Sequence, residues 1–250
     1  MRLTFPVQPD LFDAGDGFRE SSSPRDARAA SADDHPAELR QRLLVHGPGA
    51  LDETDVIELI LARCAPRGAD PAALAEALIA RFGDAPRILG ATAAELSPVA
   101  GEAVASELRL IHLLLERTLA FRLRGRCLLA SWDAVQAYLR ASLAGRSREI
   151  FRVLFLDKAN QLIADEAMGE GTVDHAPVYP REIMRRALEL AASACCLVHN
   201  HPSGAATPSD ADVEMTRQVV EAGRALRIAV HDHYLVGGDD VVSFRRLGLM

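Results

Sequence analysis

The stretch LVHNHPSGAATPSDAD, residues 197–212, leaves an apolar run and presents His199 and His201 one residue apart, with Ser209 and Asp212 beyond a Gly/Pro/Ser-rich loop. Residues two apart on a strand point the same way, so the two imidazoles project together from the end of ACCLVHN and can share a metal ion. Thr207-Pro208 reads as a helix start, with Thr207 as cap and Asp210 completing a box-like cap. Asp212 then lies just over one turn inside that helix, and the loop PSGAA can bring it back over the histidines. Two His and one Asp make a zinc set of three protein ligands with the fourth position open to water, as in catalytic rather than structural sites. Such an ion makes water nucleophilic near neutral pH and polarises a carbonyl.

Other residues compete for this role. Cys195 shares a strand face with His199 but sits four residues back, on the order of 13 Å away. It and Cys196 read as small apolar residues of a buried strand. His231 and His233 alternate in IAVHDHYLVGG as His199 and His201 do, yet no third ligand stands at suitable spacing. Asp232 and His233 are expected to be structural or to support the site, His233 through a hydrogen bond near it. His175 in GTVDHAPVYPRE could approach a substrate cleft, although an ordinary loop position fits it better. His112, inside an apolar helix, reads as a core or boundary residue.

Three regions must position these groups. Residues 1–36, rich in Ser, Asp, Arg, Ala and Pro with no sustained period, read as a disordered tail. Leu11 and Phe12 could form a short partner-binding motif there. Residues 37–126 carry helical periodicity throughout, including DETDVIELILARC and DPAALAEALIARFG, the latter with Pro near its start and Gly at its stop. Residues 128–250 alternate strands and helices. A helix begins at Ser131, EIFRVLFLD and NQLIADEAM form a hairpin over a KAN turn, and PREIMRRALELAAS is a helix. ACCLVHN is a strand buried on both faces, PSDADVEMTRQVVEAGRAL a helix, and IAVHDHYLVGG with VVSFRRLG supply the last strands. The expected class is α/β (α+β): a mixed sheet with flanking helices, preceded by an all-helical module.

Composition limits the partners. With 28 basic against 35 acidic residues and a net charge of −7, the chain is not coated in positive charge for nucleic acid. No apolar run reaches membrane-spanning length, the N-terminus lacks signal-peptide character, and four cysteines make no disulfide framework. A soluble, cytoplasmic protein with no membrane partner is expected.

HNHPSG followed by PSDAD contains His-x-His, seven residues, Ser, two residues, Asp, the metal-site pattern of JAMM (MPN+) metalloproteases. With PRE at 180–182 and DHYLVG at 232–237, the chain resembles the RadC family within that superfamily. The resemblance implies that His199, His201 and Asp212 bind Zn2+, that Ser209 positions or stabilises a developing oxyanion, and that the reaction is hydrolysis of a peptide or isopeptide bond in a protein or peptide substrate. It also calls for a glutamate on an early strand as proton shuttle. Glu149 fits that position best, with Glu166 and Glu170 as rivals. Gly171 and Thr172 resemble the family's Gly-Thr pair.

The resemblance further implies that the helical module is helix-hairpin-helix-like, gripping DNA backbone through a glycine turn at a helix N-terminus. Here the turn reads SPVAGEAVA. Gly101 is kept, but Val99 replaces the expected paired glycine and Glu102 puts negative charge where phosphate would lie. Arg122, Arg124 and Arg126 could restore a local basic patch, so weak DNA association is expected at most. Two readings follow: a zinc metallohydrolase, or a DNA-associated accessory protein with a structural or vestigial metal site.

Overall fold

The computed structural model describes residues 24–123, 125–171 and 178–250, with side chains from residue 35 onward. Helix α1 runs Pro24–His46, so the expected tail is helical from Pro24. The segment RDARAASADDH has the intrinsic helix preference of its alanines and arginines without an apolar period, which is why periodicity alone does not find it. Pro36 and Leu39 are buried, and His35 Nδ1 meets the buried Glu58 carboxylate at 2.8 Å. The motif at Leu11 and Phe12 lies outside the described residues.

Five further helices complete the helical module: α2 (Glu53–Cys64), α3 (Pro71–Phe82), α4 (Ala85–Gly90), α5 (Ala93–Ala100) and α6 (Glu102–Leu123). Side chains start four of them. Asp52, Asp70, Asp84 and Thr92 each accept a backbone N–H at the first turn. Ile57, Leu61, Leu78, Ile88, Leu96, Val104 and Leu108 form its core.

A second assembly follows, with α7 (Trp132–Leu143), β1 (Ile150–Leu156), β2 (Leu162–Glu170), α8 (Pro180–Glu189), β3 (Ala194–Asn200), α9 (Asp210–Leu226), β4 (Ala229–Gly237) and β5 (Asp240–Ser243). The sheet order is β2-β1-β3-β4-β5. Only β3 and β4 are parallel, with α9 as their crossover. The final strand is shorter than VVSFRRLG suggested, because the chain turns at Phe244.

Alternation along the central strands splits the core in two. Leu154, Leu156, Cys196 and Val198 pack with Val135, Leu139 and Leu143 of α7. Phe151, Val153, Phe155, Cys195 and Leu197 pack with Ile183 and Met184 of α8 and Val219 of α9. All seven residues of β3 are buried, as a strand covered on both faces requires. Burial pushes the Cys195 thiol up to about 12, so it stays protonated as an apolar packing residue.

The two assemblies touch backbone to backbone. A Cβ on Gly90 of α4 would stand 2.7 Å from the Ala144 carbonyl oxygen, and one on Gly145 would stand 2.6 Å from Arg87 Cα. His112 is buried, and its Nε2 lies 3.1 Å from Arg146 in the loop before β1. That loop leads to Glu149.

Candidate metal centre

His199 lies on the α8/α9 side of the sheet, and the chain leaves β3 at His201, whose N–H still bonds the Val236 carbonyl of β4 at 3.0 Å. The loop then crosses the end of β4 to reach α9. That crossing depends on Gly237, where a Cβ would stand 2.5 Å from both Ala205 C and Ala206 N.

Helix α9 starts two residues later than Thr207-Pro208 suggested. Ser209 is its N-cap, and the capping box is closed by Asp212. The Ser209 hydroxyl donates to Asp212 Oδ2 at 2.7 Å, the Ser209 N–H donates to the same oxygen at 2.8 Å, and Asp212 N–H returns to Ser209 Oγ at 3.2 Å. Thr207–Asp210 and Ser209–Asp212 share the capping-box spacing, and the folded loop closes the second. Ser209 thereby holds Asp212 against the histidines.

The three donors converge. His199 Nε2 lies 3.2 Å from His201 Nε2 and 3.3 Å from Asp212 Oδ1, and His201 Nε2 lies 3.5 Å from Asp212 Oδ2. Ligand atoms around a tetrahedral zinc with bonds of about 2.0–2.2 Å stand roughly 3.3–3.6 Å apart. The spacing therefore suits one small ion, and among the described residues these three form a group able to hold a metal.

Outer contacts fix which nitrogens face inward. His201 Nδ1 meets the Ala205 carbonyl at 3.0 Å, and a carbonyl only accepts, so this nitrogen carries the proton. Thr216 Oγ1 donates to the Asp212 carbonyl at 2.6 Å, so its oxygen accepts from His233 Nδ1, also at 2.6 Å. His233 Nε2 must then accept from His199 Nδ1 at 2.8 Å. Both metal-facing Nε2 atoms keep their lone pairs. His233 is fully buried, and desolvation above all holds it well below the ordinary imidazole range and neutral. Burial works against ionisation of Asp212, but the Ser209 bonds, and His199 whenever its ring is protonated in the metal-free centre, outweigh it and hold that carboxyl well below the usual range. Phe151 and Phe244 flank the rings, Phe151 stacked on His199 and Phe244 tilted against His233.

The carboxylates separate clearly. Glu149 is buried immediately before β1, two residues from Phe151, which pairs with His199. Its carbonyl accepts from Gly171 N–H at 2.9 Å. Glu166 is held by Arg186, which donates from Nε and a terminal nitrogen at 2.7 and 2.6 Å. Glu170 pairs with Arg148 at 3.4 Å with both side chains exposed. His233 touches His199, as its place in DHYLVG suggested, whereas His231 reaches Asn160 Oδ1 at 2.7 Å. Asp232 knits β4 to β5 by accepting from Ser243 Oγ at 2.6 Å and from the N–H groups of His233 and Arg245 at 2.8 and 3.1 Å. His175 and Thr172 lie outside the described residues. Thr216 escaped the sequence reading, although its spacing of four from Asp212 places both on one face of α9.

Residues 129–249 match the family model of the RadC-like JAB domain. This segment is therefore a RadC-like JAB domain. The match begins just before α7 and spans the whole sheet and centre, which places this RadC domain in the JAB/MPN superfamily. The helical module precedes the matched segment. In it α5 and α6 form a hairpin joined by Gly101 alone, in the left-handed region at φ 85°, with Glu102 opening α6. Arg122 and Arg126 are exposed, and Arg124 lies outside the described residues. Among the described residues no helix is long and apolar enough to cross a membrane.

Proposed function

We propose that this RadC-family protein is a zinc-dependent hydrolase of the JAMM type, cleaving a peptide or isopeptide bond in a protein or peptide substrate. The observation that carries the reading is the convergence of two lone-pair-bearing Nε2 atoms and one carboxylate at tetrahedral spacing, with every outer hydrogen bond oriented to keep it so. His199, His201 and Asp212 would hold the ion, which when bound would supply Lewis acidity and an activated water. Glu149 would take the nucleophile's proton and deliver it to the leaving amine. Glu149 directly precedes β1, whose Phe151 pairs with His199, while Glu166 and Glu170 stand on β2, one strand further from β3. Ser209 would first serve Asp212, because its hydroxyl proton points there. It can serve an oxyanion only by turning away. The helical hairpin would add at most weak, salt-sensitive DNA binding, since Glu102 opposes a phosphate at the helix start.

The test is metal analysis of the purified protein together with cleavage of peptide and isopeptide libraries, with and without chelator. Glu149→Gln should retain one equivalent of zinc and lose turnover by about 100- to 10,000-fold, the usual contribution of a general acid–base group. Chelator-insensitive cleavage, or full turnover by Glu149→Gln, would overturn the reading.

A further inference from the structure

The residue between the two histidines has a function of its own. The β1–β3 ladder ends at the pair Phe151–His199. Beyond it the strands are joined by a side chain. Asn200 Oδ1 accepts from Ile150 N–H at 2.9 Å, and Asn200 Nδ2 donates to the Arg148 carbonyl at 3.0 Å. These two bonds grip the backbone on either side of Glu149. On its other edge the same segment is tied to the end of β2, where Gly171 N–H donates to the Glu149 carbonyl at 2.9 Å. β3 meanwhile stays with β4 through the 3.0 Å bond from His201 N–H to the Val236 carbonyl. The sheet therefore forks between β1 and β3 at the metal centre, and the Asn200 amide spans the fork.

Bridging through a side chain holds two backbones further apart than a direct ladder bond does. Only a planar amide can accept from one backbone group and donate to another two residues away at this position. Asn200 is 2% exposed and closes a strand buried along its whole length, so an unmatched amide there would be costly. Its partners are the two residues flanking Glu149.

We propose that Asn200 is a positioning residue that sets where Glu149 stands relative to the His199–His201–Asp212 centre. The inference rests on the reading of Glu149 as the proton carrier, and the experiment separates the two. Co2+ is loaded into the full chain in place of zinc, and the midpoint of its pH-dependent visible spectrum is followed in wild type, Glu149→Gln, Asn200→Ala and the double variant. Hydrogen exchange at the Ile150 amide is measured on the metal-free proteins.

All four proteins should bind one Co2+, because neither residue is a ligand. Asn200→Ala should move the midpoint in the same direction as Glu149→Gln, and the double variant should move it no further than Glu149→Gln alone. Exchange at Ile150 should rise roughly 2- to 10-fold in Asn200→Ala, as expected for one lost hydrogen bond. Asn200→Asp, which keeps the acceptor for Ile150 N–H but sets a carboxylate against the Arg148 carbonyl, should move the midpoint the same way. It decides the matter if Asn200→Ala fails to fold.

A midpoint shifted by Glu149→Gln but not by either Asn200 variant would overturn the positioning role and leave the role of Glu149 intact. A midpoint indifferent to Glu149→Gln would remove Glu149 from the centre altogether. Additive shifts, or loss of Co2+ from the Asn200 variants, would show that Asn200 acts on the ligands and not through Glu149.

Discussion

β3 and β4 lie side by side and parallel, and each carries a His-x-His. On β3 the pair sits at the strand end, where α9 returns and adds Asp212. On β4 the pair ends two residues short of the level at which the β3 pair begins, since Leu197 faces His233 and His199 faces Leu235. There it meets no strand end and no helix start. A register shift also falls on it: Cys195 pairs with Val230 but Cys196 with Asp232, so His231 is the extra residue. The shift breaks the alternation that identical spacing implies. His233 reaches His199, while His231 reaches Asn160 in the β1–β2 turn. Two equal motifs thus end as a pair that converges with Asp212 and as one orienting group plus one anchor to the β1–β2 turn. The difference teaches that spacing gives a shared direction only where the strand is regular, and a metal centre only where a third element arrives.

The strongest way to break this comparison is to remove ligands from each pair. His199→Ala or Asp212→Ala should abolish stoichiometric zinc, whereas His231→Ala should keep it, as measured by metal analysis after dialysis. Zinc lost equally from both strands would show the β4 pair to be a ligand pair as well.

A finer test concerns the orienting chain. Thr216→Val removes the acceptor for His233 Nδ1–H while preserving shape, leaving a buried donor unmatched. Zinc affinity should fall by about 10- to 100-fold in a competition titration, the usual effect of losing such an outer partner. An unchanged affinity would mean that His199 needs no help in choosing its tautomer.

Gly237→Ala probes the crossing that delivers the Ala205 carbonyl to His201. The added methyl overlaps the Ala205–Ala206 peptide, so the loop must move. The expected cost is about 1–3 kcal/mol of stability, seen in denaturant melts, with weaker zinc binding. The smallest effect is expected from Glu166→Gln. Its pair with Arg186 is about one-third exposed on both sides, so less than about 1 kcal/mol is at stake. Zinc and turnover should hold at wild-type levels, and a large loss of cleavage would instead make Glu166 the shuttle.

Much of the site was legible because its signals are local. The seven-residue run ACCLVHN had to be a strand covered on both faces, and two polar rings at its end had to share a side. The helix carrying Asp212 was legible too, though its cap was not. Thr207, Ser209, Asp210 and Asp212 offer rival capping boxes, and only the folded loop length chooses between them. Glu149 was set apart from Glu166 and Glu170 by its place at a strand start. The pairing of the two rivals with Arg186 and Arg148 was not legible, because it is set by α8 packing and by the loop ahead of β1.

By itself the sequence determined the order of helices and strands, the two-sided burial of the central strand, and the identity of three residues able to meet at one ion. These follow from periodicity and covalent spacing, which act over a few residues. Tertiary structure alone decided that the β4 histidines part company, that Thr216 and His233 fix the tautomer of His199, and that Asn200 bridges the fork beside Glu149. Each of those contacts joins residues 17 to 52 positions apart. Such contacts depend on strand register and helix docking, which no local pattern encodes.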